Sequence, residues 1–158
     1  MQPDPVRVEE TLAWMKKSKD LWRAESVLTL DPPDTEDCLF HCQQAVEKSL
    51  KALLVWRDQS FRRTHDLVEL TRQCVDLEPT LSDAMSGLAP LTRFAWEFRY
   101  PGETELPTVE MAGGWTVKVR GAGSRRANHS SGRPAVIAQP HSHPRASVAG
   151  VLVVWRGP

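Results

Sequence analysis

Arg99 and His65 are two side chains of this 158-residue protein whose chemistry suits a phosphate ester. Arg99 lies at the predicted end of a helix, and its guanidinium can contact a phosphate through two parallel hydrogen bonds at any working pH. His65 lies in the predicted first turn of another helix, where backbone N–H groups favour anions and an imidazole exchanges protons near neutral pH. An arginine and a histidine are a sufficient minimal set for metal-independent RNA cleavage, because one stabilises charge and the other moves protons.

The same two side chains also have a structural interpretation. His65 would then hydrogen-bond within its own helical turn, and Arg99 would form an ion pair with Asp66 or Asp20. The residue types and their spacing are compatible with both interpretations.

A basic cluster precedes the histidine along the chain. Arg57, Arg62 and Arg63 occupy a polar connection just before Thr64-His65, where they would attract a phosphate backbone. A solvated loop is the alternative interpretation of the same cluster. The 20 Lys plus Arg residues balance 20 Asp plus Glu residues, which excludes a globally basic nucleic-acid wrapper.

The cysteines and the remaining histidines predict neither a metal site nor a cofactor. Cys38 and Cys42 lie on adjacent turns of one predicted helix beside His41, without a second ligand pair, and are interpreted as buried thiols. His141 and His143 lie in a segment with no predicted regular structure.

Apolar periodicity predicts helices along the first 110 residues. One amphipathic helix is expected over 8–28, and Asp34 or Thr35 is expected to cap a second, strongly periodic helix that ends near Trp56. Thr64 is expected to cap a third helix ending near Leu77, with three inward-facing residues: Leu67, Leu70 and Cys74.

Two shorter helices are expected to follow, beginning at Pro79 and at Pro90, and Pro101-Gly102 is expected to end the second. Strand signals are nearly absent from this part of the chain. The predicted fold is therefore all-α, an antiparallel up-and-down bundle of four to five helices with an irregular C-terminal tail.

The C-terminal part differs sharply in composition from the rest. Residues 111–158 contain no acidic side chain and seven basic ones, and they hold seven of the nine glycines. Gly113-Gly114 is expected to end a helix that begins near Pro107, and residues 115–119 alternate like a strand, as does the run 151–155. We therefore predict a helical domain over 6–110 and a Gly/Arg/Pro-rich basic tail over 111–158 that is disordered or non-native.

Composition also indicates where the protein works. No basic segment followed by an apolar core begins the sequence, and the longest apolar run is far too short to span a bilayer. Three cysteines favour a reducing compartment. A cytoplasmic location without membrane association is therefore expected.

Three ordered blocks resemble the signatures of HEPN-domain proteins. They are the segment 43–53 (QQAVEKSLKAL), the segment 64–67 (THDL) and the segment 99–102 (RYPG), preceded by Trp14 and Asp20-Leu21 in the first helix. The resemblance covers about residues 8–108. It implies a helical bundle that is usually dimeric, often paired with a small nucleotidyltransferase (MNT) in prokaryotic toxin–antitoxin modules, and in many members a metal-independent ribonuclease.

The resemblance also suggests roles for neighbouring residues. Tyr100 is the only tyrosine of the sequence. In some HEPN toxins the MNT partner adenylylates a tyrosine near the active site, and the resemblance suggests this role for Tyr100. The alternative is an aromatic ring that packs at the end of the bundle. Three polar residues of the second helix would orient the site, or form a solvated face or interhelical network: Gln44, Glu47 and Lys48. Asp66, next to His65, is also assigned a supporting role.

One departure from the family pattern separates two hypotheses. Ribonuclease members carry an Arg-x4-6-His motif, whereas here no histidine follows Arg99 until His129, and seven residues separate Arg57 from His65. The first hypothesis is a homodimeric ribonuclease or toxin acting through Arg99 and His65. The second is a non-catalytic module that docks a nucleotidyltransferase or a nucleotide through the same surface.

Overall fold

The computed structural model of the protein describes residues 4–98 and 105–124. Within these ranges the chain forms six α-helices, two 3-10 helices and no strand, so the predicted all-α bundle is confirmed. The α-helices are α1 Pro5–Lys17, α2 Asp20–Val27, α3 Thr35–Trp56, α4 Leu67–Leu77, α5 Ser82–Met85 and α6 Val109–Ser124. The 3-10 helices are Pro79–Leu81 and Ala89–Ala95.

Helix α3 is the centre of the bundle and confirms the second predicted helix. Asp34 caps it by accepting a hydrogen bond from the backbone N–H of Asp37. It packs against α1, α2, α4, α6 and the 3-10 helix Ala89–Ala95. Leu50 and Leu54 are completely buried, and such burial contributes about 2 kcal/mol per side chain.

The first predicted helix is interrupted rather than continuous. The hydroxyl and the backbone N–H of Ser18 both donate to the carbonyl of Met15. Helix α1 therefore ends at Lys17, the residue before Ser18. A serine that bonds to nearby backbone competes with the helical ladder, and α2 then starts at Asp20.

Helix α4 begins two residues later than predicted. The Asp66 carboxylate, not Thr64, caps the helix by accepting from the N–H of Val68, while the Thr64 hydroxyl accepts from the N–H of Asp66. His65 therefore precedes the helix and does not lie in its first turn. The predicted inward-facing residues, Leu67, Leu70 and Cys74, are completely buried.

The two shorter predicted helices are mostly 3-10. Pro79–Leu81 leads into the single turn α5, Gly87 then adopts a left-handed φ of +75°, and Ala89–Ala95 follows. Phe94 of the second 3-10 helix is buried.

Helix α6 corrects two sequence predictions. It continues through Gly113-Gly114 to Ser124, so residues 115–119 are helical and not a strand. The predicted domain boundary at residue 110 falls inside this helix. The remainder of the predicted tail, including residues 151–155, lies outside the described residues.

Burial of one face explains why α6 tolerates its glycines. The Thr108 hydroxyl accepts from the backbone N–H of Met111 at the start of the helix. Four residues at helical spacing are buried against the bundle: Ala112, Thr116, Val119 and Ala122. Each interior glycine costs about 1 kcal/mol relative to alanine, and packing of the buried face outweighs that cost.

The thiols lie where the sequence predicted them. Cys38, Cys42 and Cys74 are free and completely buried.

In the described ranges, no helix is long and apolar enough to cross a membrane.

Candidate functional site

A line of polar side chains runs through the buried side of α3. Gln43, Glu47 and Lys51 follow one another at intervals of four residues, which places them on one helix face. They are 0%, 3% and 5% exposed, respectively. Gln43 Nε2 donates to Glu47 Oε2 at 2.8 Å, and Lys51 Nζ donates to Glu47 Oε1 at 2.7 Å. Buried polar groups are tolerated when they satisfy one another in this way.

His65 contacts this line from the segment before α4. Its Nδ1 lies 2.9 Å from Glu47 Oε2, and its own carbonyl accepts from Gln43 Nε2 at 3.3 Å. The side chain of His65 is 54% exposed, whereas that of Glu47 is 4% exposed. The ring therefore joins a buried carboxylate to solvent.

The charge of Glu47 determines which ring nitrogen carries the proton. Burial by itself would raise the pKa of this carboxyl. Hydrogen bonds from Lys51, Gln43 and His65 more than offset burial, and the pKa lies below its ordinary value. A carboxylate only accepts hydrogen bonds, so the proton of a neutral His65 lies on Nδ1 and the lone pair lies on Nε2.

Lys51 also ties the site to the rest of the bundle. Its Nζ donates to the carbonyl of Thr64 at 2.8 Å. It lies 5.5 Å from the centre of the Trp14 ring and 5.6 Å from that of Phe61. The two rings meet edge to face, with centroids 5.9 Å apart, and contribute cation–π contacts.

A second buried carboxylate, Asp20 of α2, lies against the neighbouring face of α3. It is 1% exposed and accepts from Lys48 Nζ and from Arg23 Nη1. His41 Nδ1 lies 3.3 Å from Asp20 Oδ1 without forming a hydrogen bond. Burial raises the pKa of Asp20, but the contacts with His41, Lys48 and Arg23 lower it to about 2.

Gln44 lies between the two carboxylate sites. Its Nε2 donates to Gln43 Oε1 at 2.6 Å. Lys48, four residues further on, shares its helix face and binds Asp20. Of the three predicted orienting residues, Glu47 therefore contacts His65 directly, Gln44 acts through Gln43, and Lys48 belongs to the Asp20 site.

The other predicted site residues are placed differently. Arg99 and Tyr100 lie outside the described residues. Asp66 caps α4. Within the basic cluster, Arg57 pairs with Glu78 at 2.8 Å, Arg62 makes two hydrogen bonds to Glu69, and Arg63 is exposed.

Sequence inspection overlooked Gln43 and Lys51 as site residues. Polar side chains on a helix are more often solvated than buried, so neither residue was assigned to the site. The available signal was that a helix so apolar has little solvated face, so some of its polar residues have to be buried and paired.

A cavity of about 300 Å³ lies at the N-terminal end of α3. Its lining consists of three carboxylates and three aromatic rings: Asp34, Glu36, Asp37, Phe40, Phe94 and Phe98. Carboxylates repel phosphate, so the cavity does not suit an RNA backbone. Among the residues that the structure describes, no three His, Cys, Asp or Glu side chains are arranged so that they could hold a metal ion.

Comparison with known proteins identifies one family. The family model described as HEPN domain matches residues 11–116, which is about two-thirds of the chain. Neither a curated protein nor a solved structure matches the chain.

Proposed function

This chain belongs to the HEPN domain family, and we propose that it is a metal-independent endoribonuclease in which His65 moves protons and Arg99 stabilises the charged phosphate. The observation that supports this proposal is the contact of an exposed histidine with a buried carboxylate, Glu47. Such a contact orients an imidazole and fixes its tautomer, as catalysis by general acids and bases requires.

The chemistry follows from the free nitrogen of the ring. Nε2 of His65 removes the proton from a ribose 2′-hydroxyl, and the 2′-oxygen attacks the adjacent phosphorus. The bond from phosphorus to the 5′-oxygen breaks, and the leaving oxygen takes a proton from solvent. The products are a 2′,3′-cyclic phosphate and a 5′-hydroxyl. Charge that develops on the phosphate oxygens would be stabilised by the guanidinium of Arg99.

The proposal includes a homodimer and a toxin–antitoxin setting. Family membership supports both, because HEPN proteins are often dimeric and often paired with MNT-type nucleotidyltransferases. In that setting Tyr100 is the proposed site of adenylylation. Arg63, which is exposed beside His65, is the member of the basic cluster best placed to attract RNA, since Arg57 and Arg62 already bind carboxylates.

Cleavage of single-stranded RNA in excess EDTA tests the proposed activity. We expect the purified protein to cut under these conditions and Arg99→Ala to lose about 100- to 1000-fold in rate, the usual effect of removing one preorganised charge-stabilising donor. Arg93→Ala is the matched control, because it removes a second arginine of the same stretch of the chain, one whose ion-pair partner is Glu97. Cleavage that requires a metal, or an Arg99→Ala rate equal to that of the control, would contradict the proposal.

A second candidate function is a non-catalytic module that docks a nucleotidyltransferase or a nucleotide. The absence of the Arg-x4-6-His spacing favours it. It predicts binding without turnover, which calorimetric titration with a nucleotide or with the purified partner would detect in a protein that leaves RNA intact.

A further inference from the structure

Lys51 is a buried cation that the proposed mechanism does not use. It is 5% exposed and lies beside the rings of Trp14 and Phe61. Removing a cation from water is costly unless the surroundings provide a counter-charge and hydrogen bonds. Lys51 has both, since it donates to the Glu47 carboxylate and to the carbonyl of Thr64.

The two acceptors of Lys51 are the two supports of His65. Lys51 occupies Oε1 of Glu47, while Oε2 faces His65 Nδ1 and Gln43 Nε2. The Thr64 carbonyl belongs to the peptide bond that joins Thr64 to His65. One ammonium group therefore holds both the carboxylate that binds the ring and the backbone that carries it.

We propose that Lys51 is the positioning residue that keeps His65 in the Nδ1–H tautomer, with Nε2 free to accept a proton. While Lys51 is present, Glu47 stays ionised and can only accept from Nδ1–H. Without the cation, burial favours the neutral acid. Its O–H would then donate to Nδ1, the ring proton would move to Nε2, and the exposed nitrogen would lose its lone pair.

The contacts around Lys51 are by themselves enough to predict the tautomer of His65. Its catalytic consequence rests on the proposed function, because an Nε2–H ring cannot take a proton from a ribose hydroxyl. A tautomer and a cleavage rate are separate observables, so the failure of one is distinguishable from the failure of the other.

The tautomer can be observed directly in the full-length protein. Two-bond 1H–15N correlations of the imidazole ring, recorded at a pH where the ring is neutral, separate the two forms. The protein has five histidines, and the signal that is absent from His65→Gln identifies the relevant ring. We expect Nδ1–H in the unmodified protein and in Lys51→Arg, which keeps the cation. We expect a shift to Nε2–H in Lys51→Met.

A destabilised but otherwise intact variant controls for indirect effects. Leu81→Ala removes a buried side chain that takes no part in this network, and it should keep the Nδ1–H form. If Lys51→Met does not fold, Lys51→Gln takes its place, because it keeps a hydrogen-bond donor without the charge, and it should show the same shift to Nε2–H. An Nδ1–H ring in folded Lys51→Met, or in folded Lys51→Gln, would overturn the inference.

Kinetics provide the second observable. If the protein cleaves RNA, Lys51→Met should lower kcat by about 100-fold, because general-base catalysis contributes at least that much, and should leave KM nearly unchanged. Lys51→Arg should recover most of the rate. A rise in KM alone would contradict a positioning role. A tautomer switch in a protein without cleavage activity would uphold the role of Lys51 and count against the proposed ribonuclease.

Discussion

Among the residues that the structure describes, two histidines contact a buried carboxylate through Nδ1, and they differ in what surrounds the pair. His65 hydrogen-bonds to Glu47 at 2.9 Å, and its side chain is 54% exposed. His41 lies 3.3 Å from Asp20, and its side chain is 18% exposed. The same kind of contact therefore occurs in two different surroundings, one open to solvent and the other largely enclosed.

The partners of each carboxylate account for the difference. Both oxygens of Asp20 already accept hydrogen bonds, from Lys48 and from Arg23, so Asp20 does little to orient the ring of His41. That ring also has little access to a substrate. Glu47 directs one oxygen to Lys51 and the other toward His65. We interpret the Asp20 cluster as a support that joins α2 to α3, and the Glu47 cluster as a support for a reactive ring.

The largest expected effect is a difference in RNA cleavage rate between variants of the two histidines. His65→Gln should reduce RNA cleavage by about 100-fold or more, because the proton-transferring nitrogen is lost. His41→Gln should stay within about threefold of the unmodified protein, a difference of less than 1 kcal/mol in activation free energy. Single-turnover cleavage assays on both variants provide the comparison. Equal losses in the two variants would remove the distinction.

The next largest effect concerns the stability that the Asp20 cluster contributes. Asp20→Asn leaves Lys48 and Arg23 without their counter-charge, and we expect it to lower the free energy of unfolding by about 3 kcal/mol. This is the low end for breaking a buried pair, since Arg23 can turn toward solvent. Urea denaturation measures the change. Asp83→Asn, at an exposed position of α5, is the control and should change stability by less than about 0.5 kcal/mol.

The stability that Asp20 contributes should depend on pH in a defined direction. Its pKa is lowered from 3.8 to about 2 in the folded protein, so the contribution is complete above pH 3.8 and is lost as the pH falls toward 2. The shift corresponds to about 2 kcal/mol. The stability difference between the unmodified protein and Asp20→Asn should therefore narrow across this range. A difference that stays constant down to pH 2 would show that Asp20 acts without its charge.

Sequence reasoning located α3 well because its signals agree. An N-cap aspartate, an apolar stripe and a good helical composition all indicate the same element. It failed for α6, where glycines and an alternating pattern favour other structures and only burial against the bundle favours a helix. Local pattern cannot reveal a contribution that comes from packing partners distant in sequence.

The candidate site was predictable in part. His65 and Glu47 were both singled out, but their contact was not, because it joins residues 18 positions apart through a connection without a periodic pattern. Gln43 and Lys51 were overlooked because a polar residue on a helix is more often solvated than buried. Asp20 was associated with the first helix, but its binding to Lys48 depends on how α2 packs on α3.

The most direct test of the account is a double-mutant cycle between Glu47 and His65, measured as kcat/KM for RNA cleavage. If Glu47 acts through His65, Glu47→Gln should lower the rate in the unmodified protein, but it should have little further effect when His65→Gln is already present. The two losses would then be strongly non-additive. Losses that add, or a Glu47→Gln rate equal to that of the unmodified protein, would contradict the claim that the buried carboxylate supports a catalytic histidine.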